Sequence, residues 1–161
     1  MKVKESNGSL ELQGDVLEGA EEAFKEGRYV EAFALLHACI DWWMADLIQL
    51  SECIRDSSKT DFFLNENEYR FVSSAKCLFC KSIINKEQFD KLIEFNRLRN
   101  KIIHRLVMQA YQRRPKNTVT ISESARGFEK GKTLCLLLKG KTSLVISNPE
   151  VIKGEKPNEN P

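Results

Sequence analysis

Proline and glycine are scarce in this sequence, 4 and 8 of its 161 residues. That scarcity argues against a turn-rich β architecture and for helices. No apolar run approaches the ~18 residues of a membrane span. The longest candidate, residues 40–50, is interrupted by Asp41, Asp46 and Gln49. The first ten residues lack the apolar segment of an export leader. Five cysteines, an odd number with no such leader ahead of them, read as free thiols in a reduced, cytoplasmic setting. A Gly-rich phosphate loop, a nucleophile elbow and an H-E-x-x-H motif are all missing. Cys77 and Cys80 form a lone C-x-x-C, whereas a structural zinc site needs four ligands. Cys39, Cys53 and Cys135 supply no second pair, so no metal and no cofactor are expected. Only two histidines are present, His37 and His104.

What remains is one domain's length of ordinary soluble composition, 42% hydrophobic and 30% charged. The net charge of +2 hides an uneven distribution. Residues 97–116 hold seven Lys or Arg and no acid, while the first thirty-one residues hold eight acids against four bases. The two ends suit each other, within a monomer or between protomers. The basic stretch equally suits a polyanion such as RNA, or is simply a solvated helix face.

Along the chain, residues 1–8 are polar and expected to fray. Residues 10–25 read as a helix with Leu12, Val16, Ala20, Ala23 and Phe24 on its apolar side, stopped by Gly27. Residues 29–54 read as a long helix that is apolar nearly all round, hence central or sealing a partner chain. Trp42 and Trp43 lie ~100° apart on it, so one of them suits an interface; packing and base stacking are both open to them. Residues 55–65 read as a loop with Phe62-Phe63-Leu64 as an anchor. Asn67 is the expected N-cap of a third helix, residues 68–84. Asn85 and Gln88 form a capping box for a fourth, residues 86–112, ending before Pro115. Ser122 starts a fifth, to about residue 139, with Gly127 and Gly131 against it. Residues 142–146 read as a short strand or irregular chain, and residues 153–161 as a disordered polar tail. The fold class expected is all-α, a bundle of four to five helices. A helical domain over residues 10–140 would precede a C-terminal extension, residues 141–161.

The fourth helix carries Arg99-Asn100-Lys101-Ile102-Ile103-His104. At ~100° per residue, Leu92, Phe95, Ile102, Ile103, Leu106 and Ala110 fall within about 60° of Arg99. Arg99 therefore sits in the middle of the apolar stripe and needs an anion or several acceptors. Asn100 and His104 share the stripe's edge with Arg97 close in line, and Lys101 and Arg105 lie on the solvent side. Arg99 and His104 are about 140° apart, so a second copy of the helix related by two-fold symmetry could supply the missing partner. A satisfied polar network that fixes helix packing uses the same residues. His37, in the apolar second helix, reads as a satisfied core or interface histidine, with a second catalytic role as the alternative. Arg113-Arg114-Pro115-Lys116 reads as a helix C-terminal charge cluster, an RNA-backbone contact, or both.

This hexapeptide, on a long late helix of an all-α domain, resembles the motif of the HEPN superfamily (higher eukaryotes and prokaryotes nucleotide-binding). Such domains carry R-x4-6-H, often with a polar residue directly after the arginine, as Asn100 is here. Residues 29–37, and residues 97–106 followed by 122–138, are also similar in style, so the resemblance covers residues 10–139. It implies a homodimer with the motif helices facing each other across a cleft. It implies a metal-independent endoribonuclease, commonly a toxin or defence effector beside a nucleotidyltransferase-type antitoxin, or else an inactive interaction or nucleotide-binding module. In the ribonuclease, His104 would be the acid/base group, Arg99 would hold the scissile phosphate, and Asn100 would orient His104 or donate to phosphate. The products would be a 2′,3′-cyclic phosphate and a 5′-hydroxyl. Arg97, six intervening residues from His104, is the rival for the phosphate, with Lys101, Arg105, Arg113 and Arg114 as further RNA contacts. A toxin branch places a tyrosine two residues after the histidine; Leu106 stands there in this chain.

Overall fold

Caps and breakers decide where most helices of this chain begin and end. The computed structural model describes residues 2–6, 9–55, 70–111 and 118–153. These form an all-α helical bundle of six helices preceded by a two-stranded antiparallel hairpin. The hairpin pairs β1 (Lys2–Ser6) with β2 (Ser9–Gln13). Gly14, at φ +115°, then turns the chain, and the Asp15 carboxylate caps α1 (Val16–Lys25) by accepting the Leu17 N–H at 2.7 Å. The expected helix from residue 10 is thus corrected. Leu10 and Leu12 are two residues apart, which is the strand period, and they belong to β2. Residues 2–6 are paired rather than frayed.

Gly27, at φ +76°, ends α1 as expected, and α2 (Tyr29–Arg55) follows as the long helix. Helix α2 is not buried all round: Ala34, Ala38 and Trp42 form an exposed stripe at four-residue spacing. Helix α3 (Phe71–Cys80) is shorter than its sequence pattern. Ser82 takes a left-handed φ of +58°, and the Ile83 and Ile84 N–H groups fold back to the Leu78 carbonyl at 2.9 and 3.4 Å. That reversal buries Ile84 without prolonging the helix. The anticipated loop, its Phe62-Phe63-Leu64 anchor and the Asn67 cap lie outside the described residues, as does the chain beyond Lys153.

The capping box of α4 (Lys86–Tyr111) is formed in both directions. Gln88 N–H donates to Asn85 Oδ1 at 2.9 Å, and Asn85 N–H donates to Gln88 Oε1 at 3.1 Å. Helix α5 (Ile121–Ser147) runs past the expected end at residue 139 and across the proposed boundary at residue 140. The reading of residues 142–146 as strand or irregular chain is overturned. Leu138, Thr142 and Val145 are buried at helical spacing, and tertiary burial overrides the β-branched preference. Ser143 and Ser147 hydroxyls donate back to the Lys139 and Ser143 carbonyls, as serines inside helices do. Helix α6 (Glu150–Lys153) closes the described chain.

Contacts divide the chain into two compact units. The first comprises residues 1–40 and 94–135, the second residues 41–93 and 136–161. In the first, Phe33, Leu36, Ile40, Phe95 and Ile102 are fully buried. Phe24 stacks on Phe128 at 4.4 Å, with Phe33 edge-on to Phe128 at 6.2 Å. Gly127 and Gly131 are unfavourable by propensity, and at Gly131 close approach requires the glycine. A Cβ at Gly131 would overlap the Phe95 ring and lie 2.5 Å from Leu36 Cδ2. Glu21 of the acidic end pairs with Lys132 of α5 at 2.6 Å.

In the second unit Met44, Leu47, Leu78, Leu92 and Leu138 are fully buried. Lys81 pairs with Glu52, and Lys141 Nζ donates to the Ile83 carbonyl at 2.9 Å. Trp42 is 57% exposed, with Trp43 edge-on to it at 4.5 Å, so the two do not share one core direction. Among the described residues no helix is long and apolar enough to cross a membrane.

Candidate functional site

The candidate site is built on the part of α4 that belongs to the first unit. Arg99 is half-buried, as its place in the apolar stripe dictates. One Nη1–H donates to the Asn100 Oδ1 at 2.7 Å. Its Nε is buried and has no hydrogen-bond partner. Among the described residues no carboxylate pairs with this guanidinium, and burial alone pushes its pKa down from the ordinary arginine value. A half-buried cation with one neutral acceptor and an orphaned donor is costly unless an anion completes its shell.

Asn100, His104 and Arg97 are all exposed on the same helix. No hydrogen bond links His104 to Arg99 or Asn100 within the chain. The structure therefore places the three motif residues on one helix without joining the acid/base candidate to the phosphate-holding candidate. Arg97 is exposed beside them and makes no ion pair with a described residue.

Lys101 and Arg105, expected to face RNA, are already engaged. Lys101 Nζ donates to Glu123 Oε1 at 3.0 Å, and Arg105 Nη1 lies 3.6 Å from Glu123 Oε2. These contacts hold the Glu123 carboxyl below its ordinary range, the Lys101 hydrogen bond contributing most. Thr120 fixes the same carboxylate's backbone, its Oγ1 accepting the Glu123 N–H at 3.1 Å as the N-cap of α5. Arg113 and Arg114 lie outside the described residues.

His37 is the satisfied histidine that the sequence suggested, and its partner is what sequence reasoning missed. His37 sits on α2, hydrogen-bonded to Asn96, near enough to Arg99 to feel its charge. Burial is the main reason its pKa falls to about 4; the Arg99 charge adds to the fall and the Asn96 bond opposes it. The imidazole is therefore neutral at physiological pH. Asn96, Arg99 and Asn100 form a polar seam at helical spacing along α4, and His37 is the one polar side chain in residues 32–40 of α2. A seam on one helix needs a polar partner on another. That matching was the available signal.

The neutral His37 makes stability depend on pH with a definite sign. Its folded pKa of about 4 lies below the unfolded value of 6.5, so between them the unfolded chain binds the proton more tightly. Stability is fully present above the upper value and is lost as pH falls towards the lower one. Discounted for partial exposure, the loss should be about 1–2 kcal/mol. Urea unfolding at neutral pH and near pH 4 checks it, and in His37→Gln this share of the acid sensitivity should vanish.

Cys77 is half-buried and Cys80 exposed on α3, and burial pushes the Cys77 thiol up rather than activating it. Among the described residues no group of three or more His, Cys, Asp or Glu could hold a metal ion. Comparison of the chain with protein-family models, curated proteins and solved structures finds no match.

Proposed function

We propose that this chain is a metal-independent endoribonuclease of the HEPN type, acting in the cytoplasm as a toxin or defence effector. One observation carries the reading. Arg99 is a half-buried guanidinium with an orphaned Nε and no carboxylate partner among the described residues, on the helix whose next exposed turn presents His104. Phosphate is the anion that a guanidinium fork fits best, and an imidazole close by is the group that moves protons at a ribose. In the reaction the 2′-hydroxyl gives its proton to His104 and its oxygen attacks the adjacent phosphorus. The bond to the 5′-oxygen breaks and that oxygen takes the proton back from the His104 imidazolium, leaving a 2′,3′-cyclic phosphate and a 5′-hydroxyl end. Arg99 stabilises the charge that grows on the phosphoryl oxygens, and Asn100 keeps the guanidinium aimed through its side-chain carbonyl.

Arg99 and His104 point about 140° apart around α4. The working site is then a two-fold homodimer in which the partner's His104 faces Arg99 across the seam. A nucleotidyltransferase-type antitoxin is the protein partner that this reading expects. Labelled RNA incubated with the protein in chelator provides the test. Wild type should cleave and leave cyclic phosphate ends, while Arg99→Ala and His104→Ala should each lose about 10²-fold or more in rate. Absence of cleavage by wild type, or equal cleavage by both variants, refutes the proposal. The missing bond between Arg99 and His104 favours a second reading, a catalytically silent module that binds nucleotide or a protein partner. That module would bind RNA or nucleotide through Arg99 and leave it intact.

A further inference from the structure

The five cysteines were read above as free thiols with no second pair. The fold makes one. Cys39 of α2 and Cys135 of α5, both in the first unit, bring their sulfurs to 2.6 Å. Both are buried, Cys39 at 8% exposure and Cys135 at 1%. Two sulfurs that are not bonded normally stay well beyond this separation, and a disulfide holds them at about 2.05 Å. The contact spans 96 residues of chain, so a bond there would close a large loop in the unfolded state.

We propose that Cys39 and Cys135 are a modification site, a thiol pair that hydrogen peroxide converts to a reversible disulfide tying α2 to α5. Peroxide is a small oxidant, and Cys39 is the more exposed residue of the pair. The Cys39 thiolate attacks one peroxide oxygen, forming a sulfenic acid and releasing hydroxide. The Cys135 sulfur then attacks the sulfenyl sulfur; the S–S bond forms and the S–O bond breaks. The hydroxide takes up a proton, so two thiols lose two protons and two electrons, and the peroxide leaves as two waters. A dithiol reductant reverses the step by thiol–disulfide exchange.

The test isolates the pair in the full chain. In the variant Cys53→Ser/Cys77→Ser/Cys80→Ser, thiols counted after denaturation should fall from two to none on peroxide treatment. A dithiol should restore them. The oxidised form should unfold at a higher temperature than the reduced form, because the cross-link restricts the unfolded chain. Adding Cys39→Ser should abolish the cross-link. In wild type, mass mapping of the peroxide-treated protein should find peptides joined through Cys39 and Cys135, which keeps the question answerable if the triple variant fails to fold. Two thiols left unreacted, oxidation to sulfinic acid alone, or cross-links only through Cys53, Cys77 or Cys80 overturns the proposal.

Discussion

On the ribonuclease reading proposed above, Arg99→Leu is expected to fold at least as stably as wild type while RNA cleavage falls by about 10²-fold or more. The two effects have one cause. Arg99 lies in the apolar stripe of α4, its Nε is buried without a partner, and no described carboxylate repays its desolvation. Leucine fills much of the same volume and brings no charge, so stability should rise by about 1 kcal/mol. Asn100 is exposed and passes its lost hydrogen bond to water. If Arg99 instead holds the helices together through a satisfied polar network, leucine should destabilise the protein. Thermal unfolding and cleavage of labelled RNA, measured on the same preparation, separate these cases. Lower stability with unchanged cleavage would contradict the role given to Arg99.

Phe95→Ala should cost about 3–5 kcal/mol of folding stability, which for a domain of this size is a large share of the total. Phe95 is fully buried, and its ring occupies the space beside Gly131 that a Cβ would otherwise claim. The same closeness predicts a coupling. Gly131→Ala alone should destabilise by about 1–3 kcal/mol through overpacking. In the Phe95→Ala background much of that penalty should disappear, since the ring it collides with is gone. Leu36 Cδ2, 2.5 Å from the same Cβ, remains and keeps part of the penalty. Urea titration of the four proteins in the cycle measures this directly. Strictly additive costs would mean that Gly131 is not held small by Phe95.

Local chemistry was the legible part of the sequence. Gly27, the Asn85–Gln88 box and the period of α4 mark helix ends and faces within a few residues, and the structure keeps them. Errors arose where two periods compete or where distant chain decides. Leu10 and Leu12 fit a helix only if Val16 and Ala20 are read with them; the strand pair separates them from α1. Thr142 and Val145 look extended by propensity, yet burial at helical spacing holds them in α5. Ser82 adopts a left-handed backbone that nothing in its type announces, and α3 ends earlier for it. The motif on α4 was visible because its residues are neighbours. His37 with Asn96, and Cys39 with Cys135, are pairings between separate helices, which no window along the chain contains.

Glu123 alters how the basic stretch meets its surroundings. Affinity for nucleic acid falls with salt in proportion to the phosphates that a protein neutralises, because each releases condensed counterions. Lys101 and Arg105 share Glu123, so the three together present one net positive charge. An RNA strand reaching them must compete with a carboxylate anchored at the cap of α5. The ionic-strength slope of binding should therefore register one cation fewer than the residues between Arg97 and Lys116 would suggest.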